Sequence, residues 1–231
     1  GYVLDDLAER GRLPRTLRVL DVGAGAGGPA LGLHDYLPDD TVVDYHAVEP
    51  SAAADVLDRL LGETGRNFRS TVHRETAESF EPGAVVDTEA GFDLVLFANV
   101  LSELDDPEAV AARYLDAVAD DGSFVALAPA DRNTSIGLRR VERALAPPDA
   151  GVAVYAPTLR LWPGAAPTDR VWSFDRPPGI DAPAFQRRLD ARGAADPEDC
   201  GRVPGAVPFT HETVQSAYTT HTPARDRRPA V

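Results

Sequence analysis

The stretch Leu17-Arg18-Val19-Leu20-Asp21-Val22-Gly23-Ala24-Gly25-Ala26-Gly27-Gly28 is an apolar run that ends in four glycines within six residues. The run predicts a buried strand over Leu17 to Val22, interrupted by Arg18 and Asp21. Pro29 to Tyr36 predicts a helix, with a proline in the first turn where its missing N–H costs nothing. Strand, glycine loop and helix together form a cradle in which backbone N–H groups approach a nucleotide-bearing cofactor at the carboxyl end of the first strand. Taken alone the loop is ambiguous, because Gly23, Gly25 and Gly28 also satisfy the dinucleotide spacing G-x-G-x-x-G.

Outward from the loop, strands and helices alternate. Tyr2 to Glu9 predicts a short helix, Val42 to Val48 a second strand, and Ala52 to Leu61 a helix with Val56, Leu60 and Leu61 on one face. Phe68 to His73 and Phe92 to Phe97 predict the third and fourth strands. Pro107 to Ala119 predicts a helix entered by Asp105 and Asp106, and Ser123 to Ala128 the fifth strand. Such alternation requires right-handed crossovers and a mostly parallel sheet with helices on both faces, a Rossmann-like α/β fold. Beyond it, Ile136 to Leu145 reads as helix, Val152 to Ala156 as strand, Ala184 to Arg192 as helix, and Phe209 to His221 as an antiparallel edge strand. The chain is expected to be one domain, 1–231. Its cofactor-binding core is 18–130, and 131–222 is a C-terminal part with a lid-like segment at 157–183 carrying Trp162, Trp172 and Phe174. A frayed or truncated tail follows at 223–231. The chain starts at Gly1 and contains no methionine, so an N-terminal region is expected to be missing.

Composition removes several chemistries. All 23 basic residues are arginine, which excludes a P-loop lysine and a lysine Schiff base. Cys200 is the only cysteine, so neither a disulfide within the chain nor a cysteine-ligated iron–sulfur cluster from this chain is available. The five histidines show no metal spacing and are expected to be surface or packing residues. No stretch approaches the roughly 18 apolar residues of a membrane span, and Asp5, Asp6 and Glu9 stand where a secretory signal needs cations. A cytoplasmic protein with no membrane or DNA partner is expected. The net charge of −14, with acids scattered over the chain, suits a surface kept hydrated in a salt-rich cytoplasm.

Two acids tilt the choice of cofactor. Asp21, two residues before the first glycine, opposes a pyrophosphate but suits a ligand with an ammonium group and a cationic sulfur. S-adenosylmethionine therefore fits better than NAD. Glu49 ends the second strand, where a carboxylate can accept both ribose hydroxyls. At these residues the sequence resembles the class I methyltransferases, matching their first motif through Asp21, Gly23, Gly25 and Gly27 and their second-strand acid through Glu49. The resemblance implies that Gly23 and Gly25 line the methionine moiety, that Glu49 holds the ribose, and that Thr76, Ala77 and Glu78 lie near adenine. Many relatives have Asp in place of Thr76. Ala24, Pro50, Ala98 and Asn99 complete the expected cofactor-binding set.

Phe92 to Leu104, with Leu101-Ser102-Glu103-Leu104 as its most telling step, resembles the methyltransferase-like proteins of the mitochondrial small ribosomal subunit and their prokaryotic relatives. Ala128-Pro129-Ala130 and the helix Gly137 to Leu145 extend the likeness. It implies an archaeal, haloarchaeal relative that acts on or assembles the small ribosomal subunit or its precursor. That family's iron–sulfur cysteines are missing from Ala156 to Phe174, so no cluster or other metal is expected, and Tyr155, Trp162, Trp172 and Phe174 would fill the space as a packed lid. Asn99 is the candidate catalytic residue: it either orients an acceptor amine or caps its turn. Glu103 either faces the same crevice or caps the next helix. Arg139, Arg140 and Arg143, then Gln186, Arg187 and Arg188, either touch RNA phosphates or make local ion pairs. Other readings are a cofactor-binding assembly factor without activity, a small-molecule methyltransferase and an NAD-linked oxidoreductase.

Overall fold

The computed structural model describes residues 2–86, 90–129, 132–147, 150–156 and 216–223. Chain order gives α1 (Tyr2–Glu9), β1 (Thr16–Val22), α2 (Gly28–Tyr36), β2 (Val42–Val48), α3 (Ala53–Leu61), β3 (Phe68–His73) and β4 (Phe92–Ala98). There follow a 3-10 turn at Leu101–Glu103, α4 (Pro107–Leu115), β5 (Val118–Pro129), α5 (Arg132–Leu145), β6 (Val152–Ala156) and β7 (Ser216–Pro223). The sheet runs β3-β2-β1-β4-β5-β7-β6. β1 to β5 are parallel, and β7 pairs antiparallel with both β5 and β6.

Successive side chains of a strand point to opposite faces, and here they feed two separate cores. Leu17, Val19, Tyr45, Ala47, Leu94 and Leu96 pack with Leu7, Ala30, Leu33, Leu57 and Leu61 from α1, α2 and α3. Leu20, Val22, Val95, Phe97, Phe124 and Ala126 pack with Val110, Tyr114, Leu138 and Val141 from α4 and α5. Each large apolar side chain among them contributes about 1.5 to 3 kcal/mol on leaving water. The sheet is thereby clamped from both sides, and the loops at the carboxyl ends of its strands are fixed in position.

Four expectations need correction. On α3 the buried residues are Ala54, Leu57 and Leu61, and Val56 is 44 % exposed; the helical spacing that meets β2 is i, i+3, i+7 rather than a cluster of the largest side chains. α4 ends at Leu115 and β5 begins at Val118, because Phe92 N–H donates to the Ala117 carbonyl and Val118 pairs with Phe92. A pairing across the sheet overrides the helical propensity of that stretch. α5 starts at Arg132, ahead of the expected Ile136. The strand expected at the edge as Phe209 to His221 is an inner one, with β6 outside it, because hydrogen-bonding neighbours are set by register and not by one strand's own pattern. Residues 209–215, the lid-like 157–183, the helix 184–192 and the tail 224–231 lie outside the described residues. Among the described residues, no helix is long and apolar enough to cross a membrane.

Candidate active site

β1, β2 and β4 all deliver their carboxyl ends to one rim of the sheet. At the end of β1 the loop turns through Gly23, Gly25 and Gly27, with φ of 68°, 54° and 94°. Gly23 has no alternative. A Cβ there would overlap Val100 Cγ2, so the exit of β4 closes directly on the loop. At Gly25 a Cβ would meet nothing within 4 Å, and the loop is open on that side. The N–H groups of Gly23 and Ala24 donate to the Val48 carbonyl, tying the loop to the end of β2. α2 begins at Gly28, behind Gly27.

Glu49 follows β2 and organises the same rim. One carboxylate oxygen accepts from Gly25 N–H at 2.8 Å and the other from Ser51 N–H at 2.9 Å. Burial by itself pushes this carboxyl up, but the hydrogen bonds from Ser51 and Gly25 outweigh it and hold it below the usual range. Glu49 is therefore an ionised acceptor with lone pairs to spare. Pro50 beside it is exposed, and Ala24 is buried.

Asp21 is placed differently from the expectation of a residue facing the ligand. It is fully buried behind the loop, where Tyr45 Oη–H donates to Oδ2 at 2.5 Å and Oδ1 has no partner among the described residues. Burial raises its carboxyl to about 7, the Tyr45 hydrogen bond opposing and the Glu49 charge adding. Sequence reasoning does not single out Tyr45, although the parallel register Asp21↔Ala47 puts alternate residues of β2 on the face of Asp21.

Thr76, Ala77 and Glu78 form the turn after β3. Thr76 and Glu78 are exposed and Ala77 is buried. The turn is held from α4, since Arg113 donates to the Ala77 carbonyl at 2.5 Å and the Glu78 carbonyl at 2.9 Å, and Tyr114 Oη–H donates to the Ala77 carbonyl at 3.0 Å. Nothing in the spacing of Arg113 and Tyr114 marks them, because their partners are backbone carbonyls 35 to 37 residues away.

Ala98 and Asn99 end β4. Asn99 has φ 65°, the only positive value outside glycine among the described residues. Asn tolerates that region better than most residues, and residues held there recur at sites of function. Its N–H donates to the Leu127 carbonyl at 3.0 Å, and its exposed carboxamide takes no hydrogen bond among the described residues. The turn-capping role is thus not observed. Glu103 does not cap α4 either; Asp106 does, accepting from Ala109 N–H at 3.0 Å. Beyond Asn99 lies a cavity of about 370 Å³ between the turn Leu101–Glu103 and α5.

Among the histidines, His46 and His73 stack with 3.0 Å between Nδ1 and Nε2. The His73 ring also lies against Phe80, with 4.7 Å between centroids. Burial first and the neighbouring His46 second hold His73 below the usual imidazole range. Among the described residues, no group of three or more His, Cys, Asp or Glu side chains could hold a metal ion.

The glycine loop, the ionised Glu49 and the end of β4 all fall within residues 20–124, which match the model of a family described as a methyltransferase domain. No curated protein sequence matches the chain. Among solved structures, the [4+2]-cyclase SpnF is similar at 18 % identity and a TM-score of 0.54, over 97 % of this chain and 81 % of that one. The plantazolicin methyltransferase BpumL in complex with SAH is similar at 11 % identity and 0.52, over 90 % and 76 %. The YcgJ protein from Bacillus subtilis is similar at 15 % and 0.50, over 97 % and 99 %. At these identities the likeness is one of fold.

S-adenosylmethionine is the cofactor of such methyltransferase domains, and the residues present fit it. Asp21 leaves a carboxyl oxygen without a partner among the described residues behind the loop, Gly25 leaves an open cradle, and Glu49 offers an ionised acceptor at its mouth. Gly23, Ala24, Gly25 and Gly27 would hold the methionine end, Glu49 the ribose, and the turn at Thr76 to Glu78 the adenine.

Proposed function

We propose that this chain is an S-adenosylmethionine-dependent methyltransferase acting on a small molecule. One observation carries the reading: the cavity of about 370 Å³ opens at the carboxyl ends of β4 and β5, beside the strand that bears the glycine loop, with the unengaged Asn99 carboxamide on its lining. Bound S-adenosylmethionine supplies an electrophilic methyl group whose bonding electrons return to sulfur on transfer. The protein's own part is positioning, which suffices for an in-line displacement without a nucleophilic side chain. Asn99 orients the acceptor's lone pair, Glu49 and the loop hold the donor, and Asp21 contributes negative charge from behind the loop as its carboxyl ionises.

Calorimetry on the purified chain tests the donor half. S-adenosylhomocysteine is expected to bind with one site per chain and NAD not to bind; binding of NAD alone would replace this reading by the oxidoreductase one. Because a cyclase shares the fold, turnover is followed separately by release of S-adenosylhomocysteine.

A second reading is association with the small ribosomal subunit or its precursor, supported by the likeness at Leu101-Ser102-Glu103-Leu104. Leu101 is buried in the core, so its presence there also has a packing reason. Arg139 is buried and paired with Glu142 on α5, which removes it from any docking patch and leaves Arg140 and Arg143 as candidates. Gln186, Arg187 and Arg188 lie outside the described residues. Co-sedimentation with small subunits is the expected outcome; a protein that stays at the top of the gradient removes this reading.

A further inference from the structure

The cavity between the turn Leu101–Glu103 and α5 has a lining whose chemistry narrows what it accepts. Leu101, Leu104, Leu127, Leu138 and Val141 supply an apolar floor, and among the described residues that line it Asp105 and Arg140 are the charged ones. A volume of about 370 Å³ lies at the small end of ligand pockets and suits one or two fused rings.

Gly137 is the unusual residue. It stands inside α5, where glycine disfavours the helix relative to alanine. Neither of the ordinary reasons for a glycine applies: its φ is not in the left-handed region, and among the described residues a Cβ would meet nothing within 4 Å. What the missing side chain does is leave a bare shelf of helix backbone along the cavity wall. A flat body can lie there.

Arg140 follows on the same face, three residues on. Its side chain is 67 % exposed, and its Nε is ion-paired with Glu108 of α4 at 3.8 Å, longer than a hydrogen bond. The guanidinium therefore has donors left for a ligand, whereas Arg139 beside it is spent on Glu142. Asp105 repels an anion, so an anionic group is directed to the α5 side of the cavity.

We infer that this cavity binds a small acceptor with a flat apolar body and one anionic group, the body lying on the Gly137 shelf and the anion paired with Arg140. The inference rests on the methyl-transfer reading only in calling the ligand an acceptor.

The test uses the full chain and two isosteric probes, 2-naphthoate and uncharged 2-naphthamide, titrated by calorimetry. Wild type should bind the carboxylate about tenfold more tightly than the amide, the scale of one hydrogen bond to a charged group. Arg140→Gln should bring the two probes to equal affinity. Gly137→Leu should abolish binding of both while raising the melting temperature, so that loss of binding cannot be ascribed to misfolding. Equal binding of the two probes by wild type, no binding of either, or unchanged binding by Gly137→Leu would overturn the inference. S-adenosylhomocysteine affinity is measured on the same samples and should be the same in wild type and both variants. If it fails to bind wild type while the naphthoate pattern holds, the methyl-donor reading falls and the anion-reading cavity stands.

Discussion

Two glycines, Gly23 and Gly137, mark the two halves of the proposed site, and they are glycine for opposite reasons. Gly23 is dictated by the fold: its φ is 68° and a Cβ would overlap Val100. Gly137 is dictated by nothing among the described residues, since its backbone is helical and no described atom lies within 4 Å of where a Cβ would stand. The donor side is thus built from backbone, with loop amides tied to Val48 and Glu49. The proposed acceptor side is built from side chains on a helix that the fold would tolerate in other forms. On the proposed reading, such a site keeps its cofactor rim fixed and leaves its acceptor wall free to vary.

The largest effect expected on this contrast comes from Asp21. Its folded value is raised from 3.8 to about 7, so the stability associated with its protonated form is fully present below the unfolded value and is lost as pH rises from there through about 7. Urea unfolding from pH 4.5 to 8 should show wild type losing about 3 kcal/mol relative to Asp21→Asn. An identical pH slope in the two proteins would place the buried charge elsewhere.

Gly23→Ala comes next. Left-handed strain and the overlap with Val100 together should cost about 2 to 4 kcal/mol, read as a lower denaturation midpoint, with loss of S-adenosylhomocysteine binding. A stable, binding-competent Gly23→Ala protein would break the claim that the donor rim is fixed by backbone.

Glu49→Ala should weaken S-adenosylhomocysteine by about 1.5 to 3 kcal/mol, the range for hydrogen bonds to a charged group. Equal affinity would remove the ribose assignment.

Gly137→Ala is the smallest effect and has the opposite sign: a gain of about 0.5 to 1 kcal/mol in stability from helix propensity alone. Destabilisation by this substitution would show that α5 does need its glycine, and the distinction between the two halves would fail.

Much of the donor side is legible in the sequence because its requirements are local. The strand ending in Asp21, the glycine loop and the helix behind Pro29 are contiguous, and Glu49 is marked by its place at the end of the next strand. β2 and β3 fall where alternation and apolar runs put them, at Val42–Val48 and Phe68–His73. The boundary between α4 and β5 is not legible, since Val118 becomes strand by pairing with Phe92. The same holds for the antiparallel β7, whose inner place depends on β6 covering it.

By itself the sequence determined an α/β alternation, a glycine loop at the end of the first strand and an acid at the end of the second, because periodicity and backbone freedom are written in neighbouring residues. Only the tertiary structure decided that Arg139 and Glu142 are buried while Arg140 is exposed and reaches Glu108 of α4, that Asp21 is sealed behind the loop with Tyr45, and that Arg113 and Tyr114 reach back to hold the turn after β3. Burial and charge pairing depend on which elements meet across the sheet, and partners 24 to 37 positions apart, such as Asp21 with Tyr45 and Ala77 with Tyr114, carry no local mark of one another.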